Sequence, residues 1–116
     1  CMPRDITAGL RADGIEITET SDLASAIAKS DVLYMNRVQK ERFAKAEEYE
    51  RLKETYHVDA NLISKAKYGM TIMHPLPRAG ELAREVDEMD GAAYFRQAYN
   101  GVPIRMALLA LVTGNE

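Results

Sequence analysis

A chain of 116 residues, of which 47% are hydrophobic and 28% are charged, has the composition of one globular domain rather than of a disordered chain. Its net charge of -3, with 15 basic residues interspersed among 18 acidic ones, argues against nucleic acid as a partner, because phosphate binding needs a basic stripe. No apolar stretch is long enough to span a membrane and no signal peptide is visible, so we expect a cytoplasmic protein with no membrane partner.

The first third of the chain alternates between helix and strand patterns. Residues 3 to 14 predict a helix that starts at a proline and stops at a glycine, and residues 15 to 20 alternate apolar and polar side chains as a short strand does. Ser21 or Asp22 then predicts the cap of a second helix. Residues 31 to 36 form a near-continuous apolar run, which is typical of a strand covered by helices on both faces.

The rest of the chain continues this alternation. Its segments are predicted as a mobile loop leading into an exposed charged helix (40 to 56), a helix (59 to 66), a strand (68 to 74), a polar segment of short helix and loop (78 to 91), a fourth short strand (92 to 97) and an apolar helix (102 to 112). Repeated alternation predicts an α/β fold, a three-layer αβα arrangement with a Rossmann-like parallel sheet and helices on both faces.

The terminal helix, residues 102 to 113, carries apolar side chains around most of its circumference. Such a helix buries more than one face, and a domain of this size normally covers less apolar surface than that. The chain also opens in helix-like sequence, with Cys1 where an initiator methionine would stand. We therefore expect the chain to continue a longer protein, and this helix to pack on a part of it that lies outside these residues.

Polar side chains follow the strand predicted at residues 31 to 36, at the edge where parallel α/β sheets bind ligands. Arg37 and Gln39 lie two positions apart and share a side if the chain stays extended. A guanidinium group can bind a carboxylate through two hydrogen bonds, and a neighbouring amide adds a donor. The pair therefore predicts a site for an amino acid or a dicarboxylate. The alternative is a surface ion pair between Arg37 and an acid such as Glu41.

The sequence HPLPR, residues 74 to 78, follows the next predicted strand. His74 is either a general base or a structural residue, and no nucleophile or metal ligand stands at a useful spacing from it. Pro75 and Pro77 lack N–H groups and force extended neighbours, which leaves carbonyl groups that an amine or amide ligand can hydrogen-bond. Leu76–Pro77 is also a candidate cis peptide bond. A plain end to the strand is the alternative.

Several common chemistries have no motif in this sequence. The glycines are scattered and form no phosphate-binding loop, and His57 and His74 lie in different segments without acids at metal-ligand spacing. Cys1 is the one cysteine, which excludes an internal disulfide and a cysteine-rich zinc site. We expect a site with no metal and no cofactor, in which polar groups position a ligand.

Four stretches of the sequence resemble the aspartate-binding half of the aspartate carbamoyltransferase family. They are DVLYMNRVQKERF, EEYERLKETYHVD, MTIMHPLPRAGELAREVD and AAYFRQAYNGVPIRMALLALVTG, and the resemblance runs along essentially the whole chain. HPLPR is similar to the aspartate branch of the superfamily, because the ornithine branch usually has cysteine where Pro75 stands. The resemblance implies that residues 1 to 116 are an aspartate-binding domain, the second domain of the carbamoyltransferase fold.

The resemblance also implies roles for individual residues. Arg37 and Gln39 would hold the carboxylates of L-aspartate. The backbone carbonyls of Leu76 and Pro77 would contact the carbamoyl amide and the attacking amine, across a cis Leu76–Pro77 bond. A loop over residues 40 to 53 would close on the substrate.

In this family the α-amine of L-aspartate attacks the carbamoyl carbon of carbamoyl phosphate, giving N-carbamoyl-L-aspartate and phosphate in pyrimidine biosynthesis. The protein contributes positioning and stabilisation of an oxyanion, with no covalent intermediate and no cofactor. The resemblance implies a homotrimer with shared active sites, and it leaves open a regulatory chain or fused pyrimidine enzymes as partners. Three further residues are expected to support the site without reacting: His74, Pro75 and Arg78.

The chain departs from the family pattern at three positions. The family usually has threonine where Asn36 stands, and a larger residue followed by Asp or Asn where Ala79 and Gly80 stand. The family's carbamoyl-phosphate domain and second aspartate-binding arginine precede this region and are not among these residues. We therefore expect catalysis from the complete enzyme and none from the isolated chain. The alternative is an inactive fragment that acts as an amino-acid-binding or protein-interaction module.

Overall fold

The computed structural model describes residues 2–39, 47, 49, 51 and 56–114. Most of residues 40 to 56, predicted as a loop leading into a charged helix, lie outside the described residues, so both stay predictions. Within the described part, helices alternate with strands that pair in parallel, and the predicted α/β class is confirmed.

The described elements follow one another in chain order. They are α1 (Arg4–Ala12), α2 (Leu23–Lys29), β1 (Val32–Tyr34), α3 (Ala60–Ile63), β2 (Thr71–Met73), a 3₁₀ helix (Arg84–Glu88) and α4 (Tyr94–Thr113). Aspartate side chains begin two of the helices, because a carboxylate can accept the first unpaired N–H groups. Asp22 accepts from the N–H of Ser25 at 3.0 Å, and Asp59 accepts from that of Leu62 at 2.7 Å. The cap at Asp22 agrees with the sequence prediction.

Within the described residues the sheet consists of β1 and β2, paired in parallel with Leu33 opposite Ile72. On the other side of β2, the N–H of Ile72 donates to the carbonyl of Gly91 at 2.8 Å, and the N–H of Ala93 donates to the carbonyl of Ile72 at 2.9 Å. Because the two strands run in the same direction, the segments that leave their carboxyl ends lie at one edge of the sheet. That edge carries the site described below.

The core combines apolar side chains from the sheet and from the helices packed on it. Its buried members are Ile27, Met35, Val58, Ile63, Met70, Ile72, Leu82, Val86 and Tyr94. Burying one such side chain stabilises the fold by roughly 1.5–3 kcal/mol relative to leaving it exposed. The core therefore fixes the sheet from which the site segments emerge.

The strand predicted at residues 15 to 20 is wrong. The segment is irregular, and no described strand pairs with it. Ile15 is half exposed, and its N–H donates to the carbonyl of Leu10 at 3.0 Å, which extends the end of α1 instead of starting a ladder. An alternating apolar and polar segment forms a stable strand only where a partner strand pairs with it. Val32 and Tyr34, which share one face of β1, are half exposed.

The strand predicted at residues 92 to 97 is wrong beyond its first residue. Ala92 forms a single bridge to Ile72, and α4 then runs for 20 residues from Tyr94. The apolar helix predicted at residues 102 to 112 is therefore the second half of a longer helix. Tyr94 misled the prediction because aromatic residues favour strands, whereas here its fully buried ring fills the core from a helix.

Most of the apolar surface of α4 is exposed. From Val102 onward, seven of its apolar side chains are between 55% and 84% exposed, namely Val102, Ile104, Met106, Leu108, Leu109, Leu111 and Val112. A contiguous apolar patch on a domain normally packs against another surface. Neither α4 nor any other helix of the described residues is long and apolar enough to cross a membrane.

Gly91 lies where the chain passes close to the turn before β2. A Cβ atom at this position would lie 2.3 Å from the carbonyl oxygen of Met70, so the backbone would have to move. Gly91→Ala is therefore expected to destabilise the chain by about 1–3 kcal/mol. The control is Gly9→Ala in α1, where a Cβ meets nothing within 4 Å, and it is expected to stabilise the chain by about 0.5–1 kcal/mol. Urea unfolding measures both, and wild-type stability of Gly91→Ala would contradict the close approach.

Candidate active site

A cavity of about 500 Å³ lies where β1 and β2 end. Two segments line it: Asn36, Arg37 and Gln39 after β1, and His74, Pro75, Leu76 and Pro77 after β2. We call residues 36 to 39 the clamp segment and residues 74 to 77 the carbonyl corner. The parallel pairing of β1 and β2 places the two segments side by side. The structure therefore brings the predicted site residues of both strand ends into one cavity.

The clamp segment supplies hydrogen-bond donors to this cavity. Arg37 is exposed, Gln39 is half-buried, and both line the same cavity, as their spacing predicts. A guanidinium group and an amide together can hold a carboxylate through charge-assisted hydrogen bonds. This side of the cavity therefore suits an anionic ligand.

The carbonyl corner supplies hydrogen-bond acceptors. The Leu76–Pro77 bond is cis, as predicted, and Leu76 has a φ of 51°, which is uncommon for a residue with a Cβ atom. Among the hydrogen bonds of the described residues, none ends on the carbonyl of Leu76 or Pro77. Carbonyls in this position can accept from a ligand N–H group. The cavity as a whole suits a ligand that combines carboxylates with an amine or amide.

His74 stabilises the carbonyl corner through both nitrogens of its ring. The side chain is buried, Nε2 lies 2.6 Å from Oε1 of Glu81, and the N–H of Leu76 donates to Nδ1 at 2.9 Å. Because Nδ1 accepts, the ring proton is on Nε2 and is donated to the carboxylate. The imidazole is therefore neutral, and neither nitrogen is left to abstract a proton from a ligand. This arrangement suits a supporting residue and does not suit a general base.

The carboxylate of Glu81 connects His74 to Ala79, the residue that follows the HPLPR sequence. The sequence analysis did not predict this residue as part of the site. It is 4% exposed, its Oε1 accepts from His74, and its Oε2 accepts from the N–H of Ala79 at 2.9 Å. Burial raises the pKa of this carboxyl, but the N–H groups of Glu81 and Ala79 and the ring of His74 outweigh burial and lower the pKa below its usual 4.5. Glu81 is therefore ionised at neutral pH and accepts two hydrogen bonds.

The sequence matches the family model described as aspartate/ornithine carbamoyltransferase, Asp/Orn binding domain, over residues 4–112. The chain belongs to this carbamoyltransferase family. The aspartate carbamoyltransferase catalytic subunit of Thermococcus gammatolerans is 50% identical over 113 residues, which cover 97% of this chain and 37% of the relative. That of Methanothermobacter thermautotrophicus is 49% identical over 111 residues, covering 96% and 35%.

Solved carbamoyltransferase structures have the same fold. The catalytic subunit of M. jannaschii aspartate transcarbamoylase gives a TM-score of 0.86 at 38% identity, covering 98% of this chain and 38% of that one. The Trypanosoma cruzi enzyme in complex with carbamoyl phosphate and aspartate gives 0.77 at 39% identity, covering 93% and 35%. The predicted family and fold are confirmed. The chain spans a little more than a third of the length of these relatives.

The three departures from the carbamoyltransferase family pattern lie in or beside the site. Asn36 lines the cavity, and Ala79 donates its N–H to Glu81. Gly80 has a φ of 109°, a conformation that glycine adopts without the steric cost of a Cβ atom. The carbonyl of Gly80 accepts from Nδ1 of His57 at 2.8 Å. Ala79 and Gly80 therefore take part in the hydrogen bonds around the corner through their backbone groups.

Arg78 in this carbamoyltransferase domain is held by a carboxylate. Nη1 and Nη2 donate to Oδ1 and Oδ2 of Asp87, the second at 2.6 Å, and the hydroxyl of Tyr94 also donates to Oδ1. The hydrogen bond to Asp87 raises the pKa of Arg78, and that from Arg78 lowers the pKa of Asp87. The paired guanidinium fixes the chain directly after the carbonyl corner.

The phenol of Tyr94 makes the stability of this cluster depend on pH in the alkaline range. Burial, and then the hydrogen bond to Asp87, raise the pKa of Tyr94 from 10 to about 12. The folded chain therefore keeps the phenol proton longer than the unfolded chain does, and this contribution to stability is present below pH 10 and lost as pH rises towards 12. The stability difference between the wild type and Tyr94→Phe is expected to shrink by about 2 kcal/mol across that range.

Urea unfolding at pH 9, 10, 11 and 12 is the measurement for Tyr94→Phe. Tyr68→Phe is the matched control, because the side chain of Tyr68 is fully exposed. Its difference from the wild type is expected to stay constant with pH. A Tyr94→Phe difference that also stays constant would contradict the buried hydrogen bond.

Other contributors to the site gave no usable signal in the sequence. Gln97 and Tyr34 hydrogen-bond each other beside the carbonyl corner, and Gln97 lies in the segment that was predicted as a strand. His57 hydrogen-bonds the carbonyl of Gly80 beside the corner, whereas the sequence suggests only a possible metal ligand at this position. Among the described residues, no group of three His, Cys, Asp or Glu side chains is placed to hold a metal ion.

Proposed function

We propose that this chain is the L-aspartate-binding part of an aspartate carbamoyltransferase. The observation that carries the proposal is the single cavity in which Arg37 and Gln39 face the carbonyl corner at Leu76 and Pro77. The family model covers both aspartate and ornithine enzymes, and Pro75 supports the aspartate branch. The T. gammatolerans relative, of which the chain covers 37%, is an aspartate carbamoyltransferase catalytic subunit.

In the proposed reaction Arg37 and Gln39 bind the carboxylates of L-aspartate and direct its amine to the carbonyl corner. The nitrogen lone pair forms a bond to the carbamoyl carbon of carbamoyl phosphate. The bond from that carbon to the phosphate oxygen breaks. Phosphate leaves with the electron pair and takes up the proton that the amine nitrogen loses. The carbonyls of Leu76 and Pro77 accept from the amine and the carbamoyl N–H groups. These residues act by positioning, which brings the reacting atoms into contact without a protein nucleophile.

The rest of the enzyme is part of the same proposal. The exposed apolar face of α4 packs on the carbamoyl-phosphate-binding part, which also supplies the phosphate ligands. The active enzyme is a cytoplasmic homotrimer, and a regulatory chain or fused pyrimidine enzymes are further partners to be tested. Residues 1 to 116 are then one aspartate-binding domain, and the chain alone is inactive.

A second candidate function is a protein-interaction module without catalysis. The exposed apolar face of α4 favours it, because such a surface can pack on an unrelated partner as well as on a second domain. The two candidates differ in whether the cavity selects L-aspartate and supports turnover.

A chimeric enzyme tests the proposal. Residues 4–112 replace the corresponding segment of the T. gammatolerans catalytic subunit, whose 50% identity favours a compatible interface. We expect the chimera to form N-carbamoyl-L-aspartate from L-aspartate and carbamoyl phosphate, with kcat/KM for L-ornithine lower by about 10⁴ because its chain has no second carboxylate for the clamp segment.

Two further measurements make the outcome decisive. The isolated 116-residue chain is expected to give no carbamoyl transfer. Circular dichroism and carbamoyl phosphate binding report whether the chimera is folded. A folded chimera that binds carbamoyl phosphate but transfers nothing to L-aspartate would overturn the proposal and leave the interaction module. Preference for L-ornithine would move the chain to the other branch of the family.

A further inference from the structure

Gln97 connects the two segments that line the active-site cavity. Its side-chain Oε1 accepts from the backbone N–H of His74 at 3.0 Å, and its Nε2 donates to the hydroxyl of Tyr34 at 3.2 Å. Tyr34 is the last residue of β1 and His74 is the first residue after β2. One amide side chain therefore bridges the exits of both strands.

The position of Gln97 coincides with the end of the β1–β2 ladder. The carbonyl of Met73 still accepts from the N–H of Met35 at 2.9 Å, but the next donor, the N–H of His74, goes to Gln97 instead of to a strand residue. The residue after His74 is a proline and has no N–H to donate. Gln97 thus holds the backbone at His74, the first residue of the carbonyl corner.

The amide of Gln97 is anchored independently of the site. Gln97 lies in the first turn of α4, and its own N–H donates to the carbonyl of Ala93 at 2.8 Å. Tyr94, three residues earlier on the same helix, is fully buried in the core. A rigid helix end therefore holds an acceptor against His74 and a donor against Tyr34, which is the pre-organised support that precise sites need.

From these contacts we propose that Gln97 is a positioning residue that sets the spacing between the clamp segment and the carbonyl corner. It does not touch substrate. A ligand that uses both segments depends on this spacing, whereas a ligand that uses the clamp segment alone does not. The inference rests on the proposed function, because the ligands are chosen for that reaction.

Two inhibitors of the chimeric enzyme show whether Gln97 sets the spacing between the two segments or only stabilises the fold. Succinate offers two carboxylates to the clamp segment and nothing to the corner. N-carbamoyl-L-aspartate offers the same carboxylates and also N–H groups for the carbonyls of Leu76 and Pro77. In Gln97→Met, which keeps the side-chain length but removes both hydrogen bonds, the inhibition constant of N-carbamoyl-L-aspartate is expected to rise about tenfold and that of succinate less than about twofold.

Turnover gives an independent readout of the same spacing. In Gln97→Met, kcat is expected to fall about 10- to 100-fold, because misplacing a reacting group by a fraction of an ångström to one ångström has this effect. Arg96→Met is the matched control, since it places the same side chain at the exposed neighbouring position of α4. Its kcat and both inhibition constants are expected to match those of the unmodified chimera.

Tyr34→Phe removes the hydrogen bond at the other end of the bridge. Because the side chain of Tyr34 is half exposed, this variant is expected to fold and provides the test if Gln97→Met does not fold. In Tyr34→Phe the inhibition constant of N-carbamoyl-L-aspartate is expected to rise about threefold, with that of succinate unchanged. In the Tyr34→Phe, Gln97→Met double variant it is expected to rise no further than in Gln97→Met alone. Equal rises for the two inhibitors, or no change in either, would overturn the inference. An unmodified chimera without activity would instead overturn the proposed function, so the two failures are distinguishable.

Discussion

Arg37→Ala is expected to raise the KM of the chimeric enzyme for L-aspartate by about 100-fold, with a much smaller effect on kcat. A hydrogen bond to a charged group contributes about 1.5–3 kcal/mol. Arg37 is exposed, so we take the lower end of this range, and losing two such bonds then costs about a hundredfold in affinity at about 1.4 kcal/mol per factor of ten. The carboxylates are held alike before and during the reaction. The loss should therefore fall on binding rather than on the chemical step.

Two variants show whether charge or geometry matters at Arg37. Arg37→Lys keeps the charge but cannot bind a carboxylate through a planar fork, and we expect an increase in KM of about tenfold. Arg11→Ala removes a guanidinium group from α1, outside the set of residues that line the cavity, and should leave KM unchanged. If KM for L-aspartate stays within about twofold of the unmodified chimera in Arg37→Ala, the surface ion pair is the better account of this residue.

The position of the site followed from sequence patterns because it depends on strand ends. Arg37 and Gln39 follow an apolar run. After β2 come two prolines, and within the part of the chain that the structure describes the carbonyls of Leu76 and Pro77 have no ladder partners. Parallel pairing then brings the two ends together, which is a property of the fold class rather than of any one residue. The cis Leu76–Pro77 bond could also be predicted from the sequence, because cis peptide bonds occur almost only before proline.

The supporting residues could not be predicted in this way. Glu81 lies in a segment dense in charge, and such segments are usually solvated, so nothing in the pattern separates it from Glu85 or Glu88. Its burial results from the turn that carries it back to His74. The role of Gln97 could not be predicted because the apolar residues before it suit a strand or a buried helix equally well. Only the packing of Tyr94 in the core decides between the two.

The second large effect is expected at Glu81, where even a conservative substitution conflicts with the surrounding hydrogen bonds. Glu81 accepts from two donors, Nε2–H of His74 and the N–H of Ala79. A glutamine offers one acceptor and one NH₂ group, so in Glu81→Gln one of the two donors faces another donor. Moving the ring proton of His74 to Nδ1 gives no relief, because that nitrogen already accepts from the N–H of Leu76. Every arrangement leaves one donor facing another donor.

Glu81→Gln is therefore expected to destabilise the chain by about 1–3 kcal/mol and to lower kcat/KM of the chimera by about 10- to 100-fold, because the corner that presents the carbonyls is no longer fixed. Because the pKa of Glu81 is lowered in the folded chain, its contribution to stability is present above pH 4.5 and lost as pH falls further. The stability difference from the wild type should accordingly shrink below that pH. Urea unfolding at pH 7 and at pH 3.5 measures both parts.

Glu85→Gln is the matched control for this variant. Among the described residues, the carboxylate of Glu85 accepts from one donor, the N–H of Ala60 at 3.1 Å, and it is exposed. A glutamine oxygen can accept that one hydrogen bond, so the same substitution should change stability by less than about 0.5 kcal/mol and leave turnover unaffected. If Glu81→Gln behaves like Glu85→Gln, the carbonyl corner does not depend on a buried carboxylate. A loss confined to Glu81→Gln instead ties the geometry of the corner, and with it the proposed chemistry, to the double acceptor that only an ionised carboxylate provides.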